Sequence, residues 1–465
     1  MNAVLLIAWP CAMAGSCWLL RRAAAFAAAL ASAATLVELL IVMRSPVDDP
    51  LRVLGLSVVL GGSAQLVFGL VVAGTLVSLL VSCALPQGEH TPAIALLLLS
   101  CGAGIALLAT PLLGTVLMLI AGSLAVWLIL DLPSTSAALT APATIGTALK
   151  FLLLVFLGVT LLFIGLMLQT AVPGQRLALA LIVLGWALLL GLVPFHLALP
   201  ELAAETTLPA LGLVTGSLQL LALLLIVTTL DVQPELLSNP LSQQLVLALG
   251  SITVLGGGAW ALLAPPRRAL MFILTAHWGF IALGLASSQQ LGVVGALALL
   301  IGHGLSVALL VVSLSLLERR VAGRTETASL LRERPLAATG LMMALLTLLG
   351  VPPLQGFTPL ALVIGALRRH PQVLAVGGIG LLLLALAVAQ LIQNFLLRPQ
   401  VATADPASYD EVQLLPTVVP DYAPLSLRLL LLVLIGLGVV GGLFPHLFLE
   451  PITTITQGLP FVGAG

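Results

Sequence analysis

Long apolar runs separated by short polar stretches are the dominant pattern along the chain. Crossing about 30 Å of hydrocarbon takes about 20 helical residues, and we find fourteen runs that meet this length within a few residues. They lie at residues 3–20, 24–43, 58–84, 92–109, 111–131, 147–170, 176–193, 209–230, 243–263, 269–287, 292–316, 336–369, 372–397 and 426–449. The polar stretches between them are loop-sized, so the pattern predicts an all-α polytopic membrane protein with no soluble domain.

Prolines interrupt two of these segments. Pro194 follows an apolar run that ends at Val193, and Pro352-Pro353 cut the segment at 336–369. Proline removes a backbone donor and clashes with the preceding turn, so both helices must break. At membrane depth, a break persists only where protein or a water-filled cavity satisfies the freed backbone groups. Paired broken helices in two halves of a chain indicate a carrier built from inverted repeats.

The paired breaks suggest how the chain is divided. We predict N-terminal helices 1–3 at residues 1–90, a first repeat of helices 4–8 at 91–230, a second inverted five-helix repeat of helices 9–13 at 231–400, and a C-terminal loop with helix 14 at 401–465. No cationic residue precedes the first apolar run, and Arg21-Arg22 follow it. That order predicts a first membrane span rather than a cleaved signal peptide.

Composition agrees with the membrane assignment. Hydrophobic residues make up 60% of the 465 residues and charged residues only 7%, with a mean hydropathy of +1.23. Seventeen basic residues balance seventeen acidic ones, which argues against a nucleic-acid partner. The cysteines lack CxxC spacing and are expected to be small core hydrophobes rather than metal ligands or a disulfide framework. These are Cys11, Cys17, Cys83 and Cys101.

Basic residues also predict the orientation. If Arg21 and Arg22 face the cytoplasm, twelve of the seventeen basic residues fall on that side. The positive-inside rule then places both termini on the non-cytoplasmic side, in a bacterial inner membrane or a thylakoid membrane. Arg368-Arg369, on the opposite side, is the main exception. We find no iron–sulfur, nucleotide-binding or metal motif, so we expect no cofactor and assign any catalysis to partner subunits.

Five short motifs in consistent order carry a family resemblance. The clearest are PFH at 194–196, within a G-x-x-x-K-x-x-x-x-P-F-H-type segment, and GVPPLQGF at 350–357, which is similar to G-I-P-P-x-x-G-F. The full set lies at 148–151, 185–200, 267–279, 302–305 and 350–357. These segments resemble the antiporter-like membrane subunits of respiratory complex I and its photosynthetic relatives, which are related to the large subunits of multisubunit sodium/proton antiporters. The resemblance covers about residues 50 to 450.

The resemblance implies a line of buried ionisable groups along which protons cross the membrane. When the family's ionisable positions are mapped onto this sequence, they fall at or near residues that cannot ionise near neutral pH. These are Ile120, Leu189, Gln219, Val307 and Leu360. A buried charge costs about 2.5–3.5 kcal/mol in a membrane even on the mildest scale, so its replacement removes both the cost and the relay. We therefore expect these five side chains to point into the bundle and to leave a nearly dry axis between the breaks.

Several ionisable groups remain as candidates for a proton path. His196 follows the first break, and it either passes protons or caps freed carbonyls. His277 and His303 occupy family histidine positions, where hydrogen-bonded links between helices are the alternative role. Glu38 is a carboxyl within the membrane. It either takes part in the proton path or contacts a neighbouring subunit. Lys150 matches a family lysine, but it lies at a span's edge, where its stem can reach the interface.

Three functional hypotheses follow from this pattern. The first is a membrane-arm subunit of a complex I-type assembly, non-catalytic by itself, whose own proton path is lost or weakened. The second is an active proton or cation translocator using a rerouted path through His196, His277, His303 and Glu38. The third is a membrane subunit of an inorganic-carbon uptake or hydrogenase-type complex. All three predict a large hetero-oligomer with other membrane subunits and lipids as partners, and the alanine-rich run 23–34 is a candidate contact.

Overall fold

The computed structural model describes residues 2–47, 51–53, 56–85, 87–107, 110–132, 137–317, 330–397, 424–459 and 462. Its architecture is helical, as predicted. The helices are α1 (Asn2–Leu19), α2 (Ala24–Arg44), α3 (Gly62–Ser82), α4 (Thr91–Leu107), α5 (Pro111–Leu130), α6 (Ala137–Ala171), α7 (Arg176–Leu190), α8 (Ala198–Glu205), α9 (Leu208–Leu213), α10 (Gln219–Val232), α11 (Glu235–Ser238), α12 (Pro240–Leu263), α13 (Pro266–Ala286), α14 (Gln290–Leu317), α15 (Leu330–Glu333), α16 (Pro335–Leu349), α17 (Phe357–Ala366), α18 (Pro371–Leu391), α19 (Leu425–Leu443) and α20 (His446–Gln457).

One small hairpin accompanies the helices. Strands β1 (Leu51–Val53) and β2 (Leu56–Val58) pair antiparallel just before α3. The predicted third span began at residue 58, so the hairpin replaces its first residues. Arg319, Arg320, Arg324 and Arg398, which entered the orientation prediction, lie outside the described residues.

Eleven stretches among the described residues are long and apolar enough to cross a membrane. Three shorter apolar helices, Val4–Leu19, Thr91–Leu107 and Pro335–Leu349, coincide with predicted spans as well. The protein is therefore an integral membrane protein with a polytopic helical fold. The total of fourteen spans, the division into two inverted repeats and the side on which the termini lie stay predictions.

The first predicted break is confirmed. Helix α7 ends at Leu190, and Gly191 follows in the left-handed conformation with φ of +67°. The Leu192 N–H donates to the Ala187 carbonyl, which closes the helix end with the glycine-based motif common at helix C-termini. A cis Val193–Pro194 bond and one short 3₁₀ turn then lead into α8.

The second break repeats this geometry. Helix α16 ends at Leu349, and Gly350 has a φ of +73°. The Val351 N–H donates to the Leu346 carbonyl, in the same relation to the glycine as at the first break. A cis Pro352–Pro353 bond follows, and α17 resumes at Phe357. The two broken helices thus end by the same cap.

The helices around the breaks form the centre of the bundle. The apolar stretch Leu208–Val232, which contains α9, a π turn at Val214–Leu218 and α10, is buried over most of its length, as are α13 and α14. The peripheral helices α2, α5, α6, α18 and α19 each leave an outward apolar face. The central helices therefore position the candidate site, and the peripheral ones face lipid or neighbouring chains.

Candidate functional site

Four of the five family positions lie inside the bundle, as predicted. Leu189 precedes the first break, Gln219 begins α10, Val307 lies in the middle of α14, and Leu360 follows the second break. Their side chains are at most 7% exposed. Three of the four are aliphatic and Gln219 is a neutral amide, so these positions carry no charge.

The prediction for Ile120 is wrong. Its side chain is 46% exposed, on the outward face of α5. The inward face of this helix carries Met118, Ala121, Gly122 and Ala125 instead. At 3.6 residues per turn, a shift of one residue rotates a side chain by about 100°, which moves it off the buried face. The inward face of α5 nevertheless carries no titratable residue, and its buried polar side chain, Thr115, donates to the Leu112 carbonyl of the same helix.

Gln219 uses both ends of its amide. The Nε2 atom donates to the Leu190 carbonyl at 3.0 Å, and the Oε1 atom accepts from the indole N–H of Trp278 at 3.2 Å. Leu190 is the last residue of α7, so its carbonyl has no partner within that helix. Gln219 therefore links the first break to α13 through two buried hydrogen bonds.

The backbone after the first break is also bonded by a side chain, although the ring nitrogens Trp186 Nε1 and His196 Nδ1 are buried without partners among the described residues. The Val193 N–H donates to the Thr253 hydroxyl of α12 at 3.1 Å. A cavity of about 30 Å³ beside the break is lined by aliphatic side chains and Trp186. Water needs two to four polar partners to occupy an internal cavity, and this lining offers few. The cavity beside the first break is therefore a poor site for water, and the dry axis stays a prediction.

His196 packs against aromatic rings instead of lying in a polar path. Its ring stacks on Trp260 at 4.5 Å between centroids and lies 5.5 Å from Phe272. The side chain is buried, and its Nδ1 atom has no hydrogen-bond partner among the described residues. We predicted that His196 either passes protons or caps freed carbonyls, and the ring stacking corresponds to neither role. It joins the first break to α12 and α13.

The two other histidines form a pair. The rings of His277 on α13 and His303 on α14 are nearly parallel, with centroids 5.3 Å apart, and Trp278 lies 4.8 Å from His303. Both histidines are buried, and none of their four ring nitrogens has a hydrogen-bond partner within the described part of the chain. The alternative of hydrogen-bonded links between helices is therefore wrong for these two rings.

Further polar groups surround the second break. The contact between Gly340 and Ser313 aligns α14 with α16 in antiparallel order, so Ser306 and Thr347 lie at about the same level. Both hydroxyls are buried and lack partners among the described residues, as does Oε1 of Gln355. Buried polar atoms in native proteins are nearly always satisfied, by protein or by water. The second half of the bundle is thus polar where a dry axis was expected.

Gln355 lies at the junction of three elements. Its Nε2 atom donates to the Ala298 carbonyl of α14 at 3.2 Å, and its Oε1 atom lies beside Gly302. Its methylene groups lie against Gly441 of α19. The sequence analysis did not predict a role for Gln355, although it lies inside the GVPPLQGF motif. In this region only the family's lysine position, Leu360, was considered.

Lys150 is paired. Its Nζ atom lies 2.8 Å and 3.0 Å from the two carboxylate oxygens of Glu201. Glu201 belongs to α8, the short helix that follows the first break. From the other side, Arg267 donates to the Ala203 carbonyl of α8 at 2.8 Å. Basic residues of α6 and α13 thus hold the short helix that follows the first break.

Glu38 lies inside the chain. It is 0% exposed, on the face of α2 that also carries Ala31, Thr35 and Val42. The alternative that it contacts a neighbouring subunit is therefore wrong, because the carboxyl does not reach the surface. Neither oxygen has a hydrogen-bond partner among the described residues.

The comparisons with known proteins agree with this geometry. The family model for the transmembrane part of the NADH:quinone oxidoreductase/Mrp antiporter proteins matches residues 98–384. NADH-ubiquinone oxidoreductase chain 2 of Anas capensis is 31% identical over 200 residues, which cover 42% of this chain and 54% of the relative. NADH-quinone oxidoreductase subunit N of Parvibaculum lavamentivorans is 27% identical over 187 residues, 40% of this chain and 39% of the relative. The chain thus spans about half the length, or less, of these curated relatives.

Solved structures share the fold over nearly the whole chain. A chain of the archaeal membrane-bound sulfane sulfur reductase has a TM-score of 0.81 at 18% identity, covering 98% of this chain and 97% of that one. A chain of the Mrp complex from Dietzia has a TM-score of 0.78 at 20% identity, covering 98% and 97%. A chain of respiratory complex I from Thermus thermophilus has a TM-score of 0.75 at 20% identity, covering 99% of both chains.

Proposed function

The chain belongs to the NADH:quinone oxidoreductase/Mrp antiporter family of membrane subunits, and we propose that it serves a complex I-type assembly as a scaffold and coupling neighbour whose own proton path is lost in its first half. The Gln219 contacts carry this proposal. A relay residue must take up and release protons, whereas this amide is held by Leu190 and Trp278 and does not titrate near neutral pH.

The surroundings of Gln219 support the same function. Leu189 is aliphatic, the inward face of α5 carries no titratable residue, and the cavity beside the first break has a mostly apolar lining. A proton entering the first half would meet no titratable side chain at the positions where the family resemblance places charges. In this proposal the chain keeps the family's helical fold but has no titratable side chains at these positions, as expected for a subunit whose role is to contact its neighbours.

The partners we propose are other membrane subunits of a large complex. The structural neighbours are chains of multisubunit membrane assemblies, and the sequence relatives are subunits of NADH-quinone oxidoreductases. These neighbours come from more than one kind of complex. A membrane subunit of an inorganic-carbon uptake or hydrogenase-type complex is therefore an alternative, which identification of the co-purifying soluble subunits would decide.

One observation favours a second candidate function. His277, His303, Ser306 and Thr347 bring buried polar atoms together beside the second break. Such a cluster can hold water and pass a proton across the second half of the bundle. The candidate is a translocator with a rerouted path, in which the histidines replace the lysines of the family.

Alanine substitutions of the histidines separate the two functions. We expect H303A and H196A to leave the number of protons pumped per electron in the intact complex unchanged, because neither histidine belongs to a continuous path. H370A, at the start of α18 and away from both breaks, is the matched control. A lower pumping ratio in H303A, with the complex fully assembled, would instead establish the rerouted path.

A further inference from the structure

Glu38 is a buried acid that no part of the proposed function uses. It lies on α2, outside both broken helices and outside the segment matched by the family model. At 1.5 Å per residue, it is about 9 Å along the helix axis from Arg44, which ends α2. An ionisable side chain inside a membrane protein is costly and is normally retained for function.

No ion pair among the described residues accounts for Glu38. Helix α2 packs mainly against α1, α3 and α4, and these three helices contain no Asp, Glu, Lys, Arg or His. The titratable side chains on these elements are thiols. Cys11 and Cys17 lie on α1, Cys101 lies on α4, and Cys83 follows α3 directly. The charged residue of α2 itself other than Glu38 is Arg44. A structural salt bridge within this set is therefore excluded.

The polar neighbours on the same helix are also engaged elsewhere. Ser32 donates to the Ala28 carbonyl and Thr35 to the Ala31 carbonyl, both within α2. A metal ion needs several oxygen ligands at short range, and these hydroxyls point back to their own backbone. The ligand that a single buried carboxyl can bind without further partners is a proton.

Glu38 lies near the middle of the α2–α3 pair along the helix axes. Gln65 donates to the Val42 carbonyl and Ser32 contacts Cys83, so α2 and α3 run antiparallel in a fixed register. Between these two contacts, Glu38 is level with the middle of α3, where Thr75 lies. The Thr75 hydroxyl is 2.9 Å from that of Ser217, in the π turn before α10.

We propose that Glu38 is a proton-binding site of this chain, separate from both breaks and level with the Thr75–Ser217 contact. One O–H bond forms when the carboxylate takes up a proton and breaks when it is released, with no oxidation or reduction. The proposal does not depend on the proposed function, because it concerns exchange of a proton at α2 and not transport through the two repeats.

Carbodiimide labelling tests this site. A lipid-soluble carbodiimide reacts with protonated carboxyls inside membranes, and mass spectrometry of peptides locates the adduct. We expect an adduct at Glu38 in native membranes and a labelling rate that falls as the pH is raised from 6 to 9, because the reagent needs the protonated carboxyl. E38Q should lack this adduct. Glu201, which is ion-paired and 31% exposed, is the control carboxyl and should not become the main site.

Two results would overturn the proposal. If Glu38 is not labelled at any pH, its carboxyl is not available as a protonated group. If it is labelled at the same rate from pH 6 to pH 9, the carboxyl stays protonated throughout this range and does not release a proton near neutral pH. Both are measured on the wild-type complex, so the experiment gives a decision even if E38Q fails to assemble.

Discussion

At the scale of single residues, Gln219 shows how a neutral side chain can occupy a family position for a charge. An amide offers both donors and an acceptor, whereas a lysine ammonium only donates. Gln219 needs both, because the Leu190 carbonyl must receive a hydrogen bond and the Trp278 indole must donate one. The position is therefore specialised for an amide, and restoring a lysine would leave Trp278 unpaired.

The first prediction concerns this amide. We expect Q219L to lower the free energy of unfolding by about 2–5 kcal/mol, because the substitution leaves two buried polar groups without partners, each costing about 1–3 kcal/mol. The loss should appear as a lower thermal midpoint of the purified complex. T228V is the matched control in the same helix, because the Thr228 hydroxyl bonds only to carbonyls of α10. Equal midpoints for Q219L and T228V would contradict the linking role.

Residue positions could be predicted where a motif anchors the count. Leu189 was counted from Gly185 and Pro194, and it is buried as predicted. Ile120 had no motif nearby, and an error of one residue is enough to turn a side chain from the core to the surface. The contacts made by Trp278 could not be predicted at all, because they depend on how α13 packs against α10.

At the scale of elements, the second break depends on close backbone contact with α19. A Cβ atom at Gly442 would overlap the Pro353 carbonyl and the Leu354 backbone, and one at Gly356 would overlap the Thr347 carbonyl. Only glycine allows backbones to approach so closely. Helix α19 thus covers the break and fixes the position of Gln355 beneath it.

The second prediction tests this contact. We expect G442A to displace α19 from the break and to reduce the amount of assembled protein, because the overlap is with backbone that cannot rotate away. G436A in the same helix has open space around its new methyl group. Alanine also favours helix over glycine by about 1 kcal/mol, so G436A should assemble as well as the wild type or better. Both variants are compared by the yield of complex after gentle detergent extraction.

The breaks themselves were the most predictable elements. Pro194 and Pro352-Pro353 stop a helix wherever they stand inside one, so local chemistry alone is sufficient. Helix α8 and the π turn at Val214–Leu218 were not predicted. A short helix after a break and a π turn depend on tertiary hydrogen bonds and packing, which the order of apolar residues does not encode.

At the scale of the whole molecule, the two halves differ more than their sequence motifs suggest. Both carry a proline break with the same cap, and both have neutral residues at the buried positions to which the resemblance assigns charges. At the first break, Gln219 and Thr253 bond to the backbone, and the buried atoms without partners in the described chain are the ring nitrogens His196 Nδ1 and Trp186 Nε1. Around the second break, oxygen atoms of Ser306, Thr347 and Gln355 lack such partners. The membrane fold could be predicted from hydropathy and motif order. This asymmetry could not, because it arises from contacts between distant helices.

The last prediction concerns assembly. The alanine-rich run 23–34 was expected to face a neighbouring chain, but Ala27, Ala28, Ala31 and Ala34 are buried within this one. The remaining outward alanines, Ala25, Ala29 and Ala33, are spaced by four residues and form a narrow stripe along α2.

Small side chains let two transmembrane helices approach closely, and a leucine in the stripe would hold them apart. We therefore expect A29L to lower co-purification of neighbouring subunits while the chain itself remains folded. A375L, an outward alanine on α18, is the matched control and should retain its partners. If A29L assembles like the wild type and A375L does not, the contact lies on the α18 face, and the α2 stripe faces lipid.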